Sequence, residues 1–220
     1  MKVRLEDLTH AYTSRGERRV AVRIPELDIE SQSSLCLVGS SGSGKTTLLN
    51  ILAGIVVPTS GRVYLGETNL FALNESERDR LRSKSIGCVF QTFNLLQGLS
   101  VLENLTLAQR FAGIPTAQAR RRAHELLEML NLLDRAQARP SELSVGEQQR
   151  VAIARAVSKA PSLVLADEPT ASLDDRSAEA AIDLLIAHSS QCTLLVATHD
   201  ARLLGRFRSV RSMSDLSGLS

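Results

Sequence analysis

The chain has 220 residues, a formal net charge of +2 and 43% hydrophobic residues. This length suits one domain with a complete core, and the composition is ordinary for a globular protein. The near-neutral charge gives no support for nucleic-acid binding, and we expect no nucleic-acid partner. No apolar run approaches the roughly 18–20 residues that cross a bilayer, so other chains would have to supply any membrane pathway.

The first part of the chain has the alternating pattern of β-strands. We predict strands at residues 3–8, 20–24 and 26–29, with a polar, turn-rich connection between the first two. Such short, closely spaced strands are typical of an antiparallel sheet.

A glycine-rich loop follows at residues 39–46, which read GSSGSGKT and fit the phosphate-loop pattern. An apolar strand at 34–38 enters the loop, and residues 46–53 leave it as a helix. Backbone N–H groups of such a loop and helix start converge on phosphate oxygens. Lys45 is placed to reach the terminal phosphates, and the Thr46 hydroxyl can ligate Mg²⁺. The predicted nucleotide contacts are Gly39, Ser40, Ser41, Gly42, Ser43, Gly44, Lys45, Thr46 and Thr47.

A second chemical motif lies far along the chain, where the apolar run 162–166 ends in Asp167 and Glu168. An aspartate at a strand end beside a phosphate loop is the expected outer-sphere partner of Mg²⁺. The adjacent Glu168 is a candidate to polarise an attacking water molecule. Together with the phosphate loop, this pair predicts a nucleotide-hydrolysing site.

Between these motifs the pattern becomes helical. Helices are expected at residues 101–113, 116–131 and 146–158. Strands resume at 162–166 and 193–197, with a helix between them that could start at Asp174 and Asp175. This alternation of strands and helices indicates a largely parallel sheet covered on both faces. The Ser- and Gly-rich end of the chain, from residue 213 to residue 220, is expected to fray.

Residues 143–150, LSVGEQQR, resemble the Leu-Ser-Gly-Gly-Gln signature of ABC transporter ATP-binding subunits. Further matches follow in the family's order: an aromatic residue that stacks on adenine (Tyr12), the Q-loop glutamine (Gln91), a D-loop at 172–174 and the switch histidine (His199). The resemblance covers nearly the whole chain. Two signature positions depart from it, since Val145 replaces a glycine and Glu147 replaces a glutamine.

The resemblance implies an α/β fold of the P-loop ABC ATPase type. A mainly parallel sheet, an N-terminal antiparallel β-subdomain and an inserted helical subdomain are expected. Residues 1–93 and 160–220 would form the nucleotide-binding core, and residues 94–159 the helical signature subdomain.

The resemblance also implies ATP and Mg²⁺ as cofactors, and it assigns roles to residues. Thr46, Gln91 and Asp167 would serve the metal, and Ser144, Gly146 and Glu147 would contact a nucleotide through the signature. The catalytic group would comprise Glu168, His199, Lys45 and Gln91.

In the family, the signature of one subunit caps the nucleotide on the phosphate loop of another. The resemblance therefore implies a head-to-tail homodimer, working beneath transmembrane permease subunits as a peripheral protein at the cytoplasmic face of the inner membrane. The motifs look most like the lipoprotein-releasing and macrolide-export subgroup. An importer ATPase is the alternative. A non-transport ABC ATPase is less favoured, because coiled-coil insertions, zinc motifs and a second cassette are absent from the sequence.

Two features of the sequence are not assigned to the nucleotide site. The apolar stretch at residues 92–99 either packs within the helical subdomain or forms part of a groove for a cytoplasmic helix of the permease. His10, His124 and His188 are expected to be ordinary surface or boundary residues.

Overall fold

The computed structural model describes residues 1–14, 16–171 and 173–217. The strands are β1 Val3–Ser14, β2 Glu17–Ile29, β3 Ser34–Val38, β4 Ser60–Leu65, β5 Thr68–Asn69, β6 Ile86–Val89, β7 Leu163–Asp167, β8 Thr193–Ala197 and β9 Ser209–Ser212. The helices are α1 Lys45–Leu52, α2 Glu75–Ser85, α3 Val101–Phe111, α4 Thr116–Met129, α5 Val145–Val157, α6 Asp175–Ser189, α7 Ala201–Leu204 and α8 Met213–Ser217. Short 3₁₀ turns at Leu133–Arg135 and Pro140–Glu142 lie between α4 and α5.

The N-terminal sheet is antiparallel, with the strand order β2-β1-β4-β5. The prediction of separate strands at 20–24 and 26–29 was wrong, because β2 runs without a break through Pro25. Since β2 is an edge strand, the missing N–H of a proline leaves no neighbouring carbonyl without its donor. The sheet buries Leu5, Leu8 and Ile24 completely against α1 and β3.

The second sheet is parallel, with the order β6-β7-β8-β3-β9. Every residue of β7 and β8 is buried, as expected for central strands with helices on both faces. Because parallel strands end at one edge, the loops after β3, β6, β7 and β8 meet there. This edge is where the phosphate loop and the Asp167-Glu168 pair were predicted to converge.

The helical region contains α3, α4 and α5, whose starts lie within one residue of the predicted ones. Two of these helices begin with a capping box, formed by Ser100 with Glu103 and by Ser144 with Glu147. Their apolar faces share one core with the inner face of the parallel sheet. The helix α6 begins after Asp174, whose side chain accepts a hydrogen bond from Ser177 N–H, as predicted.

The prediction of a frayed C-terminus was wrong for residues 213–217. These residues form α8, and Met213 and Leu216 pack in the core between the two sheets. The last three residues of the predicted segment lie outside the described ones. Among the helices that the structure describes, none has both the length and the apolarity to cross a membrane.

Candidate functional site

A cavity of about 380 Å³ lies at the carboxyl edge of the parallel sheet. The phosphate loop, from Ser41 to Thr47, forms its floor. Gln91, Asp167, Glu168 and His199 come to it from the ends of three other strands. Tyr12 lines it from the antiparallel sheet. The fold thus gathers predicted residues that are up to 187 positions apart in the chain.

The phosphate loop is held by close backbone contacts. Gly44 has a φ of 94°, and a Cβ on this residue would lie 2.2 Å from the carbonyl oxygen of Ala21. Only glycine fits at this point. Lys45 is buried, and its Nζ donates to the carbonyl oxygens of Gly39 at 2.7 Å and Ser40 at 3.2 Å. Gly39 and Ser40 therefore contact Lys45 through their carbonyl groups and do not line the cavity.

Asp167 has the surroundings of a metal partner. The Thr46 hydroxyl donates to its Oδ2 at 2.7 Å, whereas its buried Oδ1 accepts no hydrogen bond from the described residues. Burial raises the pKa of the Asp167 carboxyl above its ordinary value, and the Thr46 hydrogen bond opposes part of this shift. An unpartnered carboxylate oxygen beside a threonine hydroxyl fits a hydrated Mg²⁺, whose positive charge would favour the ionised carboxylate.

Glu168 is fixed by three hydrogen bonds. Its Oε2 accepts from the Thr198 hydroxyl at 2.9 Å and from His199 N–H at 3.3 Å, and its Oε1 lies 2.9 Å from His199 Nδ1. Its backbone φ of 45° is unusual for a residue other than glycine, and such strain persists where the surroundings hold the residue in place. Lys45 Nζ lies 3.9 Å from Oε1. Glu168 is thus a nearly buried carboxylate with a defined direction toward the cavity.

Tyr12 forms the side wall of the cavity. Its hydroxyl lies 3.4 Å from Thr47 Oγ1, and nearly half of the residue is exposed. The ring of His10 packs edge-on against it, with centroids 4.6 Å apart. The prediction that His10 is a surface or boundary residue was wrong, because it is only 9% exposed. It supports the Tyr12 ring from within the sheet.

Gln91 connects the cavity to the helical region. It follows β6 and lines the cavity. The next residues are pinned to α5, because the Arg155 guanidinium donates to the carbonyl oxygens of Phe93 at 2.8 Å and Asn94 at 2.5 Å. A displacement of Gln91 would therefore move the segment that Arg155 binds and, through Arg155, act on α5.

The signature, residues 143–150, lies outside the nucleotide cavity. Ser144 and Glu147 line a second cavity, of about 660 Å³, which shares no lining residue with the first. Glu147 Oε2 accepts from Ser144 N–H at 2.7 Å and from its hydroxyl at 2.8 Å, and these bonds lower the pKa of Glu147. Gly146 packs on α6, where a Cβ would lie 2.6 Å from Ser177 Oγ. One chain therefore does not bring the signature to its own phosphate loop.

The cavity also contains residues that the sequence analysis did not assign. Arg19 and Ala21 line it from β2. They belong to no motif, and only the pairing of β2 with β1 shows that they face the phosphate loop. Of the predicted D-loop, Ser172 lies outside the described residues, and Asp174 caps α6.

Comparison with known proteins agrees with this architecture. A family model described as ABC transporter matches residues 22–171. The lipoprotein-releasing system ATP-binding protein LolD of Paramagnetospirillum magneticum is 41% identical over 215 residues, which cover 97% of this chain and 95% of that protein. An uncharacterized ABC transporter ATP-binding protein of Mycobacterium tuberculosis is 44% identical over 202 residues, which cover 90% of this chain and 80% of that protein.

Solved structures show the same fold. The ATP-binding cassette MJ0796, in a dimeric post-hydrolysis state bound to ADP and Pi, has a TM-score of 0.90 and 36% identity, with 96% of this chain and 93% of that chain covered. The predicted α/β P-loop ABC ATPase fold is confirmed. The chain therefore belongs to the ABC transporter family, as an ATP-binding and ATP-hydrolysing subunit.

Proposed function

We propose that this chain drives an exporter that acts on lipoproteins or related hydrophobic cargo. One observation carries the enzymatic part: a single cavity joins the phosphate loop to Asp167, Glu168 and His199. The similarity to LolD supports the lipoprotein part. The chain would lie at the cytoplasmic face of the inner membrane, as a peripheral subunit of a larger complex.

Nucleotide binding begins with the phosphates. The N–H groups of the loop and of the start of α1 donate to phosphate oxygens, and Lys45 exchanges its two carbonyl partners for them. Tyr12 provides the surface for the adenine base. Thr46 and Gln91 would hold Mg²⁺, with Asp167 as its outer-sphere partner, and the bound ion would supply positive charge to the phosphates.

Cleavage is assigned to Glu168. Its carboxylate accepts a proton from the attacking water and directs that water toward the γ-phosphate. Thr198 and the His199 N–H hold the carboxylate in place for this step. The His199 side chain is 71% exposed. Because Nδ1 donates to the Glu168 carboxylate, Nε2 can donate to the γ-phosphate only when both ring nitrogens carry a proton.

The site is completed by a second copy of the chain. Ser144, Gly146 and Glu147 act on the nucleotide of the partner in a two-fold homodimer, because within one chain Ser144 and Glu147 line a separate cavity and Gly146 packs on α6. Glu147 holds the start of α5 through its capping box, so the Ser144 side chain is oriented before the partner arrives. ATP then adds contacts across the interface, and hydrolysis removes them.

A third cavity, of about 700 Å³, is the proposed docking groove for the permease. It lies between α2, α3 and α5, and its lining combines Phe90 and Phe111 with Arg82, Arg155 and Lys159. Asp79 also lines it and pairs with Arg82. Phe111 is 70% exposed, so most of its ring is free to contact a partner. Burial lowers the pKa of Lys159 to about 8. Arg155 lines the groove and also donates to the carbonyl oxygens of Phe93 and Asn94, in the segment that follows Gln91. A partner in the groove can therefore act on the nucleotide cavity through this segment.

The docking proposal is tested by Phe111→Asp, with Leu133→Asp as the matched control. Both side chains are exposed and apolar, but only Phe111 lines the groove. We expect Phe111→Asp to lose most of the membrane partner in affinity purification from membranes, while basal ATP hydrolysis of the isolated chain is retained. Leu133→Asp should keep both. Normal recovery of the membrane partner with Phe111→Asp would contradict the proposed groove. Identification of the recovered partner by mass spectrometry tests a different proposal, the assignment to lipoprotein export.

A further inference from the structure

The wall that β2 contributes to the nucleotide cavity contains a β-bulge. Along the β1–β2 ladder, Ala11 pairs with Val20 and His10 pairs with Val22, so Ala21 is the extra residue. Its carbonyl oxygen is the atom that approaches Gly44. Bulges beside a site redirect the neighbouring side chains. Here the bulge brings β2 directly against the phosphate loop.

Arg19 lies two residues before this contact, roughly 7 Å along the strand. It pairs directly with Tyr12 on β1, and both residues line the cavity. An extended arginine side chain spans a similar distance, so its guanidinium can reach a ligand held by the loop. Its neighbour Arg18 pairs with Thr13 and does not line the cavity.

The charges of the cavity give Arg19 a role. The lining includes two cationic side chains, Lys45 and Arg19, and two carboxylates, Asp167 and Glu168. Lys45 already lies beside Glu168, and the second ion pair of the cavity joins Glu168 to His199. Before Mg²⁺ and nucleotide enter, these side chains without Arg19 would leave a net negative charge in the cavity. Arg19 adds a positive charge from β2 and takes no part in either ion pair.

We propose that Arg19 is a nucleotide-binding residue whose guanidinium donates to phosphate oxygens of the nucleotide stacked on Tyr12. This inference rests on the proposed nucleotide site. A planar guanidinium suits phosphate because it can donate two parallel hydrogen bonds. Arg19 from β2 and the phosphate loop then hold the phosphates together.

The test compares Arg19→Ala, Arg19→Lys and the matched control Arg18→Ala in the full chain. Dissociation constants for MgATP, MgADP and adenosine are measured by calorimetry at two salt concentrations. We expect Arg19→Ala to weaken MgATP and MgADP about 10-fold or more, as for loss of a charge-assisted hydrogen bond, and to leave adenosine unchanged. Arg19→Lys should recover part of the loss, and Arg18→Ala should bind like the wild type.

Salt provides a second readout, since the dissociation constant of Arg19→Ala for MgATP should rise less steeply with ionic strength. Equal binding by Arg19→Ala and Arg18→Ala would overturn the inference, as would an equal loss for adenosine. Absence of MgATP binding by the wild type would instead overturn the nucleotide site itself. Because Arg19 is exposed, the melting temperature without nucleotide should be the same in all four proteins.

Discussion

Glu168→Gln should bind ATP normally, hydrolyse it roughly 10²–10⁴ times more slowly and accumulate as an ATP-bound dimer. The reason lies in the geometry of the residue. Glutamine keeps an oxygen that can accept from Thr198 and from the His199 N–H, so the local structure survives. It loses the charge that allows the side chain to accept a proton from water. The γ-phosphate then remains in place, and so do the contacts that it makes.

Single-turnover hydrolysis and mass measurement in solution, with and without ATP, test this expectation. Glu77→Gln is the matched control, because Glu77 belongs to the capping box of α2 and glutamine also suits that position. The control should hydrolyse ATP at the wild-type rate and should not accumulate as a dimer. Wild-type turnover by Glu168→Gln would remove Glu168 from the role of general base.

Leu95→Asp should destabilise the fold by roughly 3–5 kcal/mol, the cost of an uncompensated buried charge, whereas Leu96→Asp should change it by less than about 0.5 kcal/mol. The two side chains are adjacent in sequence but differ in burial. Leu95 is 7% exposed and packs in the core shared by the helices and the parallel sheet, while Leu96 is 48% exposed. The two explanations for the apolar stretch at 92–99 therefore apply to different residues. Leu95 packs within the core, whereas Leu96 is available to a partner.

Urea unfolding of both variants, followed by circular dichroism, measures the difference. The local backbone should survive in each variant, because the Asn104 side chain binds the N–H and carbonyl groups of Leu96, not its side chain. Equal destabilisation by the two substitutions would show that the stretch packs differently from the structure. A stable Leu96→Asp that still binds its membrane partner would exclude Leu96 from the docking surface.

Much of the nucleotide cavity could be predicted because its residues follow strands with clear apolar patterns. The strand at 34–38 and the one at 193–197 have the predicted bounds, and the residues after them lie at one edge of the sheet. Parallel strands force this convergence. Gln91 and His199 were assigned through the family resemblance, and their places after β6 and β8 bring them to the cavity that Lys45 lines.

Elements without an apolar pattern were missed. The helix α2 reads ESERDRLRSKS, and no side chain of this fully described helix is buried, so its capping box by Asn74 and Glu77 is the main local signal. The strand β9 is polar and is defined only by its pairing with β3. Tertiary pairing therefore decides the conformation of β9, whereas α2 is stabilised by its own capping box.

Residues that line the cavity from the antiparallel sheet show the same limit. Tyr12 was assigned through the family resemblance, but Arg19 and Ala21 depend on a bulge that shifts the register between β1 and β2. A shift of one residue changes which side chains face the cavity, and the sequence alone does not specify it. His10 was misplaced for a related reason, since its burial follows from contact with the Tyr12 ring and not from local polarity.

The central claim is that each nucleotide is held between the phosphate loop of one copy and the signature of another. Ser41→Cys and Val145→Cys test it, because both positions are exposed and lie in different regions of one chain. The native thiols offer little competition, since burial raises the pKa of Cys192 and raises the pKa of Cys36 and of Cys88 to about 11.

The measurement is disulfide formation on mixing the two single-cysteine variants, each carrying Glu168→Gln. A disulfide in this mixture can join Ser41→Cys of one copy to Val145→Cys of the other. The account predicts a mixed, covalently linked dimer that forms with MgATP and not with MgADP or without nucleotide. A linked dimer that forms equally well without ATP would contradict the shared site. So would ATP-dependent dimers in which position 41 links only to position 41, or position 145 only to position 145.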